Sequence, residues 1–358
     1  MTTPTFKQRL GCWIHERRTT EAALRFSMFE AVTGRSWLDL KNRHEKISID
    51  PISKGRICHW TDSSPLTVAR LFPRVGGRIL HDCLKRWPVD LESSTPSRPS
   101  DSPEVSFIIG VRGTRRLDQF RTVMQSISGQ QGASIEIIVV EQSSTREFES
   151  VVPEHAQYIH TPLPHSNTPF NRSWALNAGA TVARGRVLVL HDADMIIPAG
   201  FAAAIAQTIQ GDIQALRLPR FIFYLDRPSS ESVQRTGRFD GVQQVDRVVQ
   251  NNPTPMAITR DAYMRIGGHD ESYYGWGGED NEFLDRVRTL NLCEGAFLPV
   301  FHLWHEEAPN RSGDRNAAHV QACLKIPAMK RIEMLNQRSF GQLVPSVPWT
   351  AAAQIEAM

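Results

Sequence analysis

At 358 residues, 41% apolar and with a formal net charge of +3, the chain can bury a full core, and domain-size statistics divide it into one large and one smaller unit. No run of ~18 apolar residues occurs, and Met1 to Glu30 mix charges throughout, so neither a membrane-spanning helix nor a secretory leader is expected. Cys12, Cys58, Cys83, Cys293 and Cys323 are scattered with no CxxC pair, which excludes a zinc-ribbon or dithiol redox motif and fits a reducing, cytoplasmic setting.

The surplus of base sits in the first hundred residues and the remainder is slightly acidic; spread this thinly, it reads as ordinary solvated surface and names no partner. Residues 1–90 carry Trp13, Trp37, Trp60 and Trp87 among basic residues; core packing is the simplest role for them, with acceptor recognition or docking as the alternative. Asp90 to Pro103, DLESSTPSRPSDSP, is rich in Ser and Pro and reads as a linker over 91–103. It would separate a smaller N-terminal region from a domain over 104–343, followed by a weakly structured tail at 344–358.

Past the linker, VSFIIGV (Val105 to Val111) is apolar on both faces, as a strand buried in a parallel sheet must be, and a polar turn at Arg112 to Arg116 leads into a helical pattern ending near Ser128. A second buried strand runs from Ile135 to Glu141, a helix from Asn171 to Ala183, and a third strand from Arg186 into HDAD. This alternation predicts an α/β fold with a mostly parallel sheet. Ligands of such sheets bind at the carboxyl ends of the strands, so Arg112, Glu141, Asp192 and Asp194 are expected to line one crevice.

Asp192 and Asp194 stand two residues apart at a strand end, where alternate side chains point the same way and both can face one cation. His302 and His305 of FHLWHEE suit a transition metal in a mixed nitrogen and oxygen site. In YYGWGGEDNEF, Gly275, Gly277 and Gly278 let the backbone approach a ligand just before a helix that opens with Glu279 and Asp280. Acids favour a helix start by themselves, but that explains neither Trp276 nor the glycines, and an indole beside carboxylates is suited to gripping a sugar.

FNRSWALNAG, LHDADMIIP, GWGGEDNEF and HLWH follow in the order and approximate spacing of the β-1,4-galactosyltransferases, and the chain also resembles the broader family 2 glycosyltransferases. The resemblance spans roughly residues 103 to 310. It implies a GT-A fold, Rossmann-like with a mostly parallel central sheet flanked by helices, a UDP-sugar donor, a Mn2+ ion and transfer with inversion. By position, Asp194, His302 and His305 resemble the metal ligands, and the histidine pair is a set that also tolerates Mg2+. Phe170, Arg172 and Asp192 match nucleotide-contacting positions, Arg112 the arginine beside the diphosphate, and Glu141 the strand at the uridine. Trp276 and Glu279, with Gly277 and Gly278, resemble the acceptor-binding segment, and Asp280 the general base. Where relatives carry a glycine pair before the long helix, this chain has Pro255, Met256 and Ala257. The alternatives are a retaining transferase resembling the polypeptide N-acetylgalactosaminyltransferases, a non-catalytic carbohydrate-binding protein and a metal-dependent phosphohydrolase. The donor sugar, the acceptor (glycan or another hydroxyl-bearing molecule) and the oligomeric state stay open.

Overall fold

Among the described residues three short strands precede the expected linker: β1 (Ile47–Ile49) and β2 (Arg56–Cys58), an antiparallel pair, and β3 (Ser64–Pro65). The computed structural model describes residues 4–25, 36–92, 101–163, 168–306 and 313–341; most of the expected linker and the tail at 344–358 lie outside them. The α/β alternation then appears as expected. Strands β4 (Val105–Val111), β5 (Ile135–Ser143), β6 (Gln157–Pro162) and β7 (Val187–His191) pair in parallel in the order β7-β4-β5-β6. After β8 (Met195–Ile196) come β9 (Ala215–Arg217), β10 (Pro219–Tyr224), β11 (Arg247–Gln250) and β12 (Met256–Thr259), then β13 (Leu292–Cys293) and β14 (Leu298–His302). Strands β12, β9 and β13 extend the large sheet to seven, with β12 antiparallel to both of its neighbours.

Apolar residues on both faces of β4 follow from its central place. Phe107 and Ile109 join one apolar layer and Ile108 the other, because successive side chains alternate across a sheet. The helix Arg172–Val182 packs on β4 and β5, and Gly179 permits the contact: a Cβ there would lie 2.3 Å from Ile108 Cγ2.

A second sheet, β3-β11-β10-β14-β8, runs beside the first, and its strand β3 comes from the N-terminal region. This corrects the expectation of a separate smaller region. Trp37, Leu38, Val68 and Ile79 belong to the same core as Phe221 and Phe301. Arg220, 1% exposed, donates to the carbonyls of Leu38 (2.8 Å) and Leu40 and to Gln250 (3.1 Å). The linker reading registered only a local loss of apolar residues, whereas pairing across sheets is non-local. Of the four tryptophans, Trp37 is core and Trp13 is exposed. Among the described residues no helix is long and apolar enough to cross a membrane, and all five cysteines are free.

Candidate active site

The third strand ends one residue before the acids. Asp192 follows β7, Asp194 sits in the turn before β8, and their side chains separate. Asp192 Oδ1 accepts from Arg172 Nε at 2.8 Å, while Asp194 meets Arg116 Nη1 at 2.7 Å through Oδ2, His305 Nε2 at 3.3 Å through Oδ2 and His302 Nε2 at 3.6 Å through Oδ1. The expectation that both carboxylates face one cation is therefore corrected: a turn has no two-residue alternation, so only Asp194 joins the histidines.

What unites residues more than a hundred positions apart is strand pairing. Strand β14 is antiparallel to β8, with His302 opposite Met195, and Leu303 N donates to Asp194 O at 2.8 Å. Parallel to β14 on its other side, β10 sets Tyr224 beside His302, and the two rings stack at 4.3 Å. Ser230 Oγ accepts from Trp304 N at 2.7 Å and Gln119 Nε2 donates to Trp304 O at 2.9 Å, fixing the turn that returns His305.

Asp194, His302 and His305 offer one oxygen and two nitrogens, all within 4.8 Å of one another. The His305 Nδ1 lies 2.8 Å from the Glu306 carbonyl, which can only accept, so a neutral His305 carries its proton there and turns the Nε2 lone pair toward the Asp194 carboxylate. Two acceptors face each other, an arrangement that a cation between them resolves. Burial pushes the His302 imidazole below its ordinary value, which favours the neutral ligand form. Burial would raise the Asp194 carboxyl, but His302 and His305 when protonated, together with Arg116, outweigh it and hold it well below the usual carboxylate range; a cation among them would supply the same charge with both rings neutral. The donor set fits a divalent ion that accepts nitrogen and oxygen.

Arg172 is the second centre. Asn171 caps its helix by accepting from Trp174 N at 2.9 Å and donates through Nδ2 to the Glu271 carbonyl at 2.7 Å, so the helix start and the glycine segment are tied. Gly275 N donates to Phe170 O at 2.8 Å, which closes the same junction. From there Arg172 bridges Asp192 and Asp280, the latter at 3.0 Å. Burial works against the guanidinium charge, but Asp192, Asp280 and Glu279 outweigh it.

Gly278 has φ 90°, a conformation L side chains rarely adopt, and a Cβ there would stand 3.0 Å from Asn316 O. The glycines thus turn the chain into the helix Glu279–Val287 and leave Trp276 57% exposed. Glu279 is 9% exposed with Oε2 unpaired; burial and then Asp280 push its carboxyl up to about 7. Burial likewise raises Asp280. An acid whose folded value lies above its unfolded ~4.3 is indifferent to folding at low pH and opposes folding as pH rises toward and past the folded value. Glu279→Gln should therefore stabilise the fold at pH 8, by on the order of 3 kcal/mol, and so raise the thermal midpoint there, while leaving it nearly unchanged at pH 4.5. Melting curves at the two pH values check this; an equal shift at both would refute the cause.

Two expected residues sit differently. Glu141 is fully buried and accepts from Ser143 Oγ (2.6 Å), the backbone N–H of Glu147 (2.9 Å) and of Phe148 (3.1 Å) and the Tyr158 hydroxyl, so its carboxylate is consumed by the loop after β5. Arg112 donates to the Thr168 carbonyl, and the arginine that touches the Asp194 cluster is Arg116. The sequence held the signal, since Arg116 shares the polar turn after β4, but which arginine faces inward is set by the 3-10 turn Thr114–Arg116.

A carboxylate with two imidazoles, together with a largely covered arginine that links two further acids, is equipment for handling a charged and hydroxylated substrate on an α/β sheet. Residues 106–295, more than half of the chain, match the family described as Glycosyltransferase like family 2, and the chain belongs to that family. It is similar to β-1,4-galactosyltransferase 3 of Homo sapiens, 26% identical over 153 residues, covering 42% of this chain and 33% of that protein; the Mus musculus protein matches to the same extent. The chain thus spans about a third of the length of the curated relatives it matches. Similar solved structures include glucosyl-3-phosphoglycerate synthase from Mycobacterium tuberculosis with Mn2+, UDP and glucosyl-3-phosphoglycerate, at 17% identity over 64% of this chain and 80% of that one, TM-score 0.42. Another is the mannosyltransferase PcManGT from Pyrobaculum calidifontis with GDP-Man and Mn2+, at 19% identity over 82% and 85%, TM-score 0.40.

Proposed function

We propose that the protein is a metal-dependent inverting glycosyltransferase that moves a hexose or N-acetylhexosamine from a UDP-sugar to an acceptor hydroxyl. The observation that carries this reading is the cluster of Asp194, His302 and His305, assembled by the β8 and β14 pairing beside the Arg172 network. Mn2+, with Mg2+ as a substitute, would be held by these three residues and would neutralise charge on a leaving diphosphate. Arg116, at the edge of the cluster, can turn from Asp194 to that diphosphate, and Arg172 and Asp192, next to Phe170, border the nucleotide.

Transfer needs a carboxylate that takes the acceptor proton on the face opposite the leaving group. Asp280 has that role: its Oδ1 is oriented by Arg172, and its raised value brings its basicity nearer to neutral pH than that of an ordinary aspartate. Glu279, unpaired at Oε2, serves to bind an acceptor hydroxyl, and Trp276 offers a stacking face for a sugar ring. Asp280→Asn should abolish transfer from a UDP-sugar, by roughly 10²-fold or more, while UDP binding measured by calorimetry persists. Retained turnover removes Asp280 from the role, and a product with the donor's anomeric configuration by NMR replaces inversion with retention.

A further inference from the structure

We propose that Asp270, His319 and Cys323 form a second metal site, which takes a zinc-class divalent cation and pins the segment before Trp276 to the helix Gly313–Cys323. One ligand atom from each residue lies within 4.8 Å of the others. His319 and Cys323 are four positions apart on one helix and so share a face, with Nε2 and Sγ 3.8 Å apart. Asp270 comes from the turn that opens the glycine segment.

The bland explanation is packing: His319 Nε2 meets Ser272 Oγ at 2.8 Å, and the Tyr273 ring lies 4.6 Å from the imidazole. That account leaves one group unexplained. Tyr273 is 2% exposed, its hydroxyl has no hydrogen-bond partner, and Cys323 is near enough to act on it. A buried hydroxyl without an acceptor is unfavourable. A metal-bound thiolate would supply that acceptor, whereas a thiol accepts only weakly.

The donor set also differs in chemistry from the Asp194 cluster. Thiolate, imidazole and carboxylate together select zinc over magnesium or manganese, and the two negative ligands balance a doubly charged ion. Cys323 would bind as thiolate, its proton passing to solvent, and with three protein ligands a water completes a tetrahedron. Asn316, on the same helix, already donates to the carbonyls of Tyr274 (3.0 Å) and Trp276 (3.1 Å). The metal adds a further tie between this helix and the loop that presents Trp276.

Cobalt(II) titrated into the full-length, chelator-treated protein is the test, because a cobalt–thiolate bond gives a near-ultraviolet charge-transfer band. The expected result is a band saturating at about one equivalent, bleached by Zn2+, absent from Cys323→Ser and His319→Gln, and weakened roughly tenfold or more in affinity in Asp270→Asn. Circular dichroism establishes that each variant is folded. Asp194→Asn keeps the band, so failure of the transfer reading and failure of this site are told apart. A wild-type protein without the band, or a band that survives Cys323→Ser, overturns the proposal.

Discussion

Asp194→Asn is expected to lower metal-dependent glycosyl transfer by on the order of 10²–10³-fold, with most of the loss in kcat, because charge developing on the leaving diphosphate is neutralised late in the reaction. The substitution keeps shape and removes the only carboxylate of the cluster, leaving His302, His305 and Arg116 without their counter-charge. It also has a readout that needs no donor. Mn2+ at about a hundred times its Kd should stabilise the wild type by ~2.7 kcal/mol and leave the variant unmoved. Equal Mn2+ stabilisation of both proteins would place the cation elsewhere.

The largest expected loss of stability follows Arg172→Met. This guanidinium, with its side chain 14% exposed, is shared by Asp192 and Asp280, and its removal strands both carboxylates, with Glu279 close by. Breaking a buried pair from one side costs ~3–5 kcal/mol, and the partial exposure of both aspartates puts this case at the lower end. The sign with pH is fixed by the same groups. Burial already raises Asp280 and Glu279, and Arg172 is what opposes that rise, so without it the penalty is full near pH 8 and shrinks as pH falls and these acids take up protons. Urea unfolding at pH 8 and pH 5 measures it; a penalty that grows on acidification would show that the arginine acts through something other than these acids.

Much of this was legible from residues alone, for reasons that are local. Val105–Val111 and Val187–His191 are apolar on both faces, and only a doubly covered strand tolerates that, so the parallel sheet could be read from the chain. Glycines at 275, 277 and 278 before a pair of acids announced a turn just ahead of a helix, and Gly277 at φ 98° and Gly278 at φ 90° make that turn. The stretch from Asn171 to Ala183 reads as a helix, and the helix Arg172–Val182 forms there with Asn171 as its cap.

What only the tertiary structure decided concerns direction and distance. The chain contains Asp192 and Asp194 as equals, yet the end of β7 at His191 sends one to Arg172 and the other to the histidines. Glu141 looked like a strand-end ligand, but a tyrosine from β6 and two backbone N–H groups of its own loop claim it. Arg112 and Arg116 differ by one 3-10 turn, and the N-terminal residues joined the second sheet through β3, a strand of two residues with no periodicity to detect, and the common core through Trp37, Val68 and Ile79. Side-chain type and spacing along the chain encode which elements form. Which groups meet depends on strand pairs that join distant residues, such as Met195 with His302 and Pro65 with Val249, and their outcome is fixed by the packing of the whole.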